Sequence, residues 1–296
     1  MKYIDNSCRV DRTTAPNLDA ILGAAFPVLD HGFVRVVDYM GNDDSIVEAA
    51  RVSYGKGTRA TSDNQGLINY LMRHWHSTPF EMCEIKLHVK LPVFVARQWI
   101  RHRTASVNEY SARYSILDNE FYIPEPEHMA VQSTTNNQGR GAVLEGQQAQ
   151  DVLDMIKGHS QDSYGIYDAM QDPEGDIGLA RELARMALPV NVYTQWYWKT
   201  NLHNLFNFLR LRMDSHAQYE IRAYADIIAS MTKDWVPQAT SAFENYRLNA
   251  MNFSKQELIY LSQMIDGYEA NEISHKMSLG EFKEFNQKLL KIEKLS

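Results

Sequence analysis

At 296 residues, 44% hydrophobic and 23% charged, the chain has an ordinary globular composition and length enough for one large domain or two small ones. Its formal net charge of -7 excludes broad non-specific nucleic-acid binding, so any basic cluster is a local device. Two cysteines, Cys8 and Cys83, exclude a disulfide framework or a zinc ribbon and fit a reducing compartment.

The opening stretch MKYIDNSCRVDRTTAPN has no apolar run of the signal-peptide kind. Nowhere do about 18 apolar residues run uninterrupted, so a cytoplasmic protein without a membrane span is expected. Residues 1–30 read as a polar N-terminal extension whose one apolar patch, Ile21 to Leu29, is broken by Gly23 and Pro27. Gly32 to Met40 (GFVRVVDYM) has the β-branched character of a strand. Asn42 or Asp43 can cap a helix through Ile46, Val47, Ala49 and Ala50, after which Arg51 to Gly57 loosens into a Gly-rich loop. Asp63 can cap a second helix, with Leu67, Ile68, Leu71, Met72 and Trp75 as a buried stripe. It runs into His74-Trp75-His76, an HxH pair without a third and fourth ligand at convincing spacing. A structural or hydrogen-bonding role is favoured there, and no metal site is expected.

Glu84 to Leu91 (EIKLHVKL) alternates strictly and reads as a half-buried strand. Pro92 then opens a short helix from Val93 to about Arg101, on which Gln98 and Arg101 share a face. Next comes Gln98 to Tyr114, QWIRHRTASVNEYSARY, with Arg101, His102, Arg103 and Arg113 beside Asn108, Glu109 and Ser111. The apolar run Leu91 to Ala96 precedes it, so the cationic group grows out of the core. Arginine offers a planar fork of donors that suits phosphate and carboxylate, and several at the end of a core element can hold a polyanionic small molecule. A solvated basic patch with local ion pairs accounts for the same spacing.

From Asp118 to Gln150 the chain turns loop-like and is a candidate mobile lid or surface insertion. Val152 to Met170 looks helical. Asp176 to Leu188 is expected to be a helix with Leu179, Leu183 and Met186/Ala187 on one apolar face, ended by Pro189. Arg185 points off that face and by itself reads as a snorkelling surface residue. Val192 to Trp198 suits a strand. From Asn201 a long helix is expected to reach about Thr232, with His203 and Asn207 on one side and Arg212 about 140° further round. Leu202, Leu205, Phe206, Phe208, Leu209, Leu211 and Met213 leave it almost no polar face, which implies burial inside an oligomer with pockets on two sides. Ser254 and Ser278 look like N-caps of amphipathic helices, Lys255 to Met264 and Leu279 to Leu295. Residues 243–296 are accordingly expected to be a helical extension packed on the same domain.

Several familiar sites are missing: there is no G-x-G-x-x-G after a strand, no P-loop and no HExxH. Neither cysteine sits in an electropositive loop beside a base, as a catalytic thiolate requires. Ser111 likewise has no His or Lys base in evidence and reads as a hydrogen-bond donor.

Arg101-His102-Arg103, seven residues and then Ser111 resembles the RHR-x7-S motif of the flavin-dependent thymidylate synthases. The similarity continues through Glu109, Arg113 and Tyr114 and extends from about Gly32 to about Ala242. The resemblance implies an α+β fold, its antiparallel or mixed central sheet packed with long helices, with the synthase domain over 31–242. It implies a homotetramer with active sites shared between subunits. The implied reaction is FAD-dependent reductive methylation of dUMP to dTMP, with 5,10-methylene-tetrahydrofolate as carbon donor, NADPH as reductant and no enzyme nucleophile. By the same resemblance Thr78, Arg101, His102, Arg103, Glu109, Asn201, His203 and Asn207 hold FAD, with His76 near the isoalloxazine. Gln98, Arg101, Glu109, Ser111, Arg113 and Arg185 bind dUMP, and Arg212 polarises its uracil at N3/O2 as C6 accepts hydride. Position 203 is often Arg in that family, and position 207 can be His. A rival reading, an RNA- or nucleotide-binding module stacking bases on Trp99 and Tyr110, is opposed by the acidic net charge and by the apolar helix after Asn201. A degenerate, non-catalytic flavoprotein is opposed by intact Arg212, Arg185 and Ser111.

Overall fold

The strict alternation of Glu84 to Leu91 becomes the middle of a sheet. In the computed structural model, which describes residues 12–52, 63–134, 139–172, 174–175, 177–265 and 278–293, it lies in the central strand of a five-stranded sheet. The strands are β1 (Ala25–Val28), β2 (Gly32–Met40), β3 (Glu84–Pro92), β4 (Ser106–Glu109) and β7 (Tyr193–Asn201), in the spatial order β1-β2-β3-β7-β4. Every pairing is antiparallel, so the expected α+β class holds with no parallel component in this sheet. The apolar patch Ile21 to Leu29, assigned no role from sequence, supplies β1, whose Pro27 is tolerated because the strand lies at the sheet edge. The other edge is β4. It has no buried residue, and only its ladder with β7 makes it a strand.

One face of the sheet is dry. Val34, Val36, Ile85, Leu87, Val89, Leu91, Trp196 and Trp198 bury against α5 (Val93–Trp99), α8 (Leu202–Arg212) and α9 (Tyr219–Trp235). The same core takes in the short turn α1 (Pro16–Asp19), α2 (Asp43–Arg51), α3 (Asn64–Arg73), α4 (Thr78–Glu81) and α10 (Pro237–Phe243). Caps behave as their chemistry demands. The Asn42 side chain accepts from Asp44 N and Ser45 N to start α2, and Asp63 accepts from Gly66 N at 2.6 Å to start α3. Pro92 is the N-cap of α5 rather than its first turn, and the helix stops at Trp99, short of Arg101.

Several expectations are corrected. Trp75 leaves the buried stripe of α3: the helix ends at Arg73, Trp75 takes a left-handed φ of 63°, and its ring is 68% exposed. Of the helix expected over Asp176 to Leu188, Asp176 lies outside the described residues and the rest forms only α7 (Arg181–Ala184) and a 3-10 turn, because Gly178 at φ 53° is left-handed and breaks the helix; Leu183 and Met186 are exposed. Leu188, before Pro189, is extended as expected. The long helix to Thr232 is two helices, since the Asp214 carboxylate accepts the His216 amide at 2.8 Å and closes a turn between α8 and α9. Leu211 is exposed, so α8 is not apolar all round. Within 118–150, β5 (Ala130–Gln132) and β6 (Arg140–Val143) form a hairpin, and α6 (Gly146–Gln171) starts earlier than read. The loop expected from Arg51 to Gly57 lies outside the described residues beyond Val52.

Residues 249–296 form a compact unit of their own. In it α11 (Lys255–Ile265) opens on Ser254, whose N–H donates to Glu257 at 2.7 Å while its Oγ accepts the Glu257 amide at 3.3 Å. Ser278 caps α12 (Leu279–Glu293) through its Oγ, which accepts Glu281 N at 3.2 Å. No described helix is long and apolar enough to cross a membrane.

Candidate active site

Trp99 anchors the cationic stretch. Its indole is fully buried, stacked on Phe208 of α8 at 4.6 Å and edge-on to Trp196 and Trp198 of β7. Losing such a ring would cost about 3–5 kcal/mol, so the chain leaves the core at a fixed point. His102 keeps its edge contact to Phe208 at 5.0 Å, and its Nε2 accepts the Nε–H of Arg212 at 3.0 Å. A second Arg212 nitrogen, Nη2, donates to the Gln98 carbonyl at 3.4 Å. Burial, and then the Arg212 charge, lowers the His102 pKa to about 4, so the ring is neutral at pH 7 and free to accept. Burial also draws Arg212 below its ordinary value, though a guanidinium stays charged. The result is a partly desolvated cation of fixed direction, the kind of group that stabilises negative charge developing on a ring oxygen.

Behind Arg212 the polar contacts continue. The Gln98 amide donates to Gln218 Oε1, and Gln218 Nε2 donates to Glu220 at 2.8 Å. Glu220 is buried, and it takes Arg140 of β6 on both oxygens at 2.6 and 2.7 Å and the Tyr122 hydroxyl at 3.1 Å. Burial works to raise the Glu220 pKa, but the hydrogen bond and charge of Arg140, with help from Gln218, outweigh it and the net shift is downward. Arg140 and Glu220 therefore tie β6 to α9. Sequence reasoning missed Gln218, Glu220, Arg140 and Tyr122. The one available signal was the polar run just past Arg212.

At the sheet edge, the β4–β7 ladder sets Glu109 opposite Trp196, and Thr194 Oγ1 donates to Glu109 Oε1 at 2.8 Å. Tyr110 N donates to Gln195 O at 2.7 Å, extending the ladder one residue before the chain turns. Glu109, Ser111 and Arg185 line one cleft of about 440 Å³, walled by Val93, Leu188 and Val192. Glu182 organises its arginines: Arg113 Nε meets its carboxylate at 3.2 Å, and Arg185 Nε donates to its carbonyl at 3.1 Å. Ser111 Oγ accepts the Arg113 amide at 3.3 Å, and among the described residues no His or Lys hydrogen-bonds to it.

On another side of α8, His203 and Asn207 line a second cavity of about 260 Å³ together with Trp75, His76, Arg210 and Arg247. Phe80, Phe206 and Phe243 form its apolar wall. Asn201 is spent on structure, its Oδ1 capping α8 by accepting Asn204 N at 3.0 Å. Thr78 opens α4 and is exposed, as are Arg101 and Arg103. One chain therefore distributes the expected residues over three places: Gln98, His102 and Arg212; Glu109, Ser111 and Arg185, with Arg113 tied in through Glu182; and His76, His203 and Asn207.

Residues 35–238 match the family model described as thymidylate synthase complementing protein. The chain is 62% identical over 274 residues to the flavin-dependent thymidylate synthase of Ruegeria pomeroyi, an alignment covering 93% of this chain and 91% of that one. It is 55% identical over 282 residues to the enzyme of the same name from Rickettsia conorii, covering 92% of this chain and 96% of the relative. The chain belongs to the flavin-dependent thymidylate synthase family. Among solved structures it is similar to the UMP/dUMP methylase PolB from Streptomyces cacaoi bound with 5-Br UMP, with a TM-score of 0.66 and 31% identity over 74% of this chain and 96% of that one. The same methylase bound with 5-Br dUMP matches at a TM-score of 0.66 and 30% identity over 75% of this chain and 98% of that one. Membership makes the chain an enzyme and sets aside the nucleic-acid-binding module as a reading.

For a flavin-dependent thymidylate synthase, the state of its thiols matters. Cys83 is fully buried, and its Sγ–H points to the Asn42 carbonyl at 3.4 Å. Burial, with a smaller contribution from Asp43, pushes its pKa up to about 12. Such a thiol is a poor nucleophile at neutral pH. Cys8 lies outside the described residues.

Proposed function

We propose that the enzyme methylates dUMP to dTMP reductively, with FAD as cofactor, 5,10-methylene-tetrahydrofolate as carbon donor and NADPH as reductant, and with no covalent attack by the protein. Reduced flavin, when bound, supplies the hydride. The protein's part is to bind, orient and polarise. Glu109, Ser111, Arg113 and Arg185, with Gln98, hold the nucleotide, the arginines taking its phosphate by charge-assisted forks. Arg212 directs its guanidinium at the uracil N3/O2 edge and stabilises the charge that develops as C6 accepts hydride. Its pairing with neutral His102 and the Gln98 carbonyl is the observation that carries this reading, since it fixes a cation without neutralising it.

The 260 Å³ cavity suits a flat ring: aromatic walls, with His76, His203 and Asn207 among its polar groups. It is smaller than the roughly 300–1,000 Å³ of pockets that enclose a whole ligand, so one chain shelters only part of a dinucleotide. That, and the spread of Thr78, Arg101, Arg103 and Asn201 beyond it, favours a homotetramer in which copies share each active site, at work in the cytoplasm. Purified protein carrying a flavin spectrum that bleaches under anaerobic NADPH, and forming dTMP from dUMP and methylene-tetrahydrofolate, is the expected outcome. Protein that stays colourless after reconstitution with FAD and forms no dTMP refutes the reading.

A further inference from the structure

The 260 Å³ cavity continues past the residues that suit a flavin ring. His203, Asn207 and Arg210 follow one another at i, i+4 and i+7 on α8, a single stripe roughly 10 Å long at 1.5 Å per residue. Arg247 meets the Arg210 end from the π-helical turn Glu244–Leu248. It is held in place: one guanidinium nitrogen donates to the Met72 carbonyl, and the group lies over the Trp75 ring at 3.0 Å from its centroid. Burial, and then the charge of Arg210, lowers the Arg247 pKa to about 10. The cavity lining contains no Asp or Glu, and among the described residues no carboxylate pairs with either arginine. Two cations brought together in one recess repel. An oxyanion between them relieves that repulsion, and guanidinium forks match its geometry.

We propose that Arg210 and Arg247 form an anion subsite, at the end of the cavity away from His203, for the multiply charged oxyanion tail of a flat-ringed ligand. The proposal rests on the reading above, in which two ligands have that shape: FAD with its diphosphate, and the folate with its glutamyl carboxylates. Arg210 lies within residues 35–238, the stretch matched by the family model, and Arg247 lies beyond it.

Arg210→Gln is the primary variant, because among the described residues no hydrogen bond or ion pair holds Arg210. Arg247→Gln is the second, with its melting temperature recorded, since Arg247 also closes the end of α3. Wild-type FAD binding, followed by flavin fluorescence, comes first; its absence would overturn the underlying reading rather than the subsite. If the tail is the diphosphate, Arg210→Gln weakens FAD by about tenfold and leaves FMN binding nearly unchanged. If the tail is the glutamyl chain, FAD affinity holds while the advantage in KM of triglutamyl over monoglutamyl folate disappears. Wild-type values on both measures, in Arg210→Gln and in folded Arg247→Gln alike, overturn the subsite.

Discussion

α8 carries polar groups on two edges, and the two are held to very different degrees. Arg212 is fixed by His102 and Gln98, which are themselves fixed by Trp99 and by the chain from Gln218 to Glu220 and Arg140. His203, Asn207 and Arg210, on the same 11-residue helix, stand exposed along a cavity. A group meant to act on a transition state gains from being immobile before the substrate arrives, because no reorganisation is left to do at the reacting moment. A group meant to grip a ligand can be ordered by that ligand. The contrast assigns polarisation to the first edge and binding to the second.

Replacing Arg212 tests that division most severely. Arg212→Ala is expected to lower dTMP formation by about 10²–10³-fold, measured in single turnovers, while FAD titrates as in the wild type. Lysine should not rescue it, because a point cation cannot span His102 and the Gln98 carbonyl at once. Concurrent loss of flavin would show that the two edges are not independent. His102 should keep accepting from Arg212 down to about pH 4, so the polarising edge survives the whole range in which an ordinary histidine titrates.

Glu220→Gln probes the support behind that edge and should act on stability first. The variant keeps an acceptor but removes the charge facing Arg140, and a loss of about 2 kcal/mol is expected, less than for a fully enclosed pair because Arg140 stays partly solvated. Glu220 has a folded pKa below its unfolded one, so its contribution is present above the unfolded value and disappears as pH falls through the folded value. The gap in melting temperature between wild type and variant should therefore be wide at neutral pH and close in acid. A gap that widens in acid would mean that Arg140 does not hold the carboxylate charged.

What could be read from the chain beforehand follows the same division between local and distant causes. Gly32 to Met40 and Glu84 to Leu91 announce themselves because one face of each strand is buried and the alternation is local. Asn42, Asp63, Ser254 and Ser278 announce helix starts because a cap is satisfied within three residues. Ser106 to Glu109 gave no such sign, since its only support is β7, far along the chain. The break after Arg212 hides in the Asp214 side chain, which competes with the helix for backbone N–H groups. At the site, the arginine-rich motif and Arg212 came through resemblance. The residues that steady them, Glu220 with Arg140 80 positions away and Gln218 with Gln98 120 away, follow no spacing rule and become visible only once the fold joins them.

The smallest effect is expected from the thiol, and its smallness sharpens the contrast drawn on α8. If Arg212 and a bound cofactor suffice to activate the uracil, no side chain of the protein needs to bond to it, and Cys83 should be chemically silent. Burial pushes the Cys83 pKa up to about 12, so the group stays a thiol at pH 7. Cys83→Ala removes one buried sulfur and a weak contact to the Asn42 carbonyl, which should cost about 1 kcal/mol of stability. Turnover should stay within twofold or so of wild type, as typical of a substitution away from the reacting atoms, and replacing Cys8 as well should not lower it further. A folded Cys83→Ala protein without turnover would put a covalent step back into the reaction. The fixed edge of α8 would then be an accessory to a nucleophile, and the reason for holding Arg212 so firmly would have to be sought elsewhere.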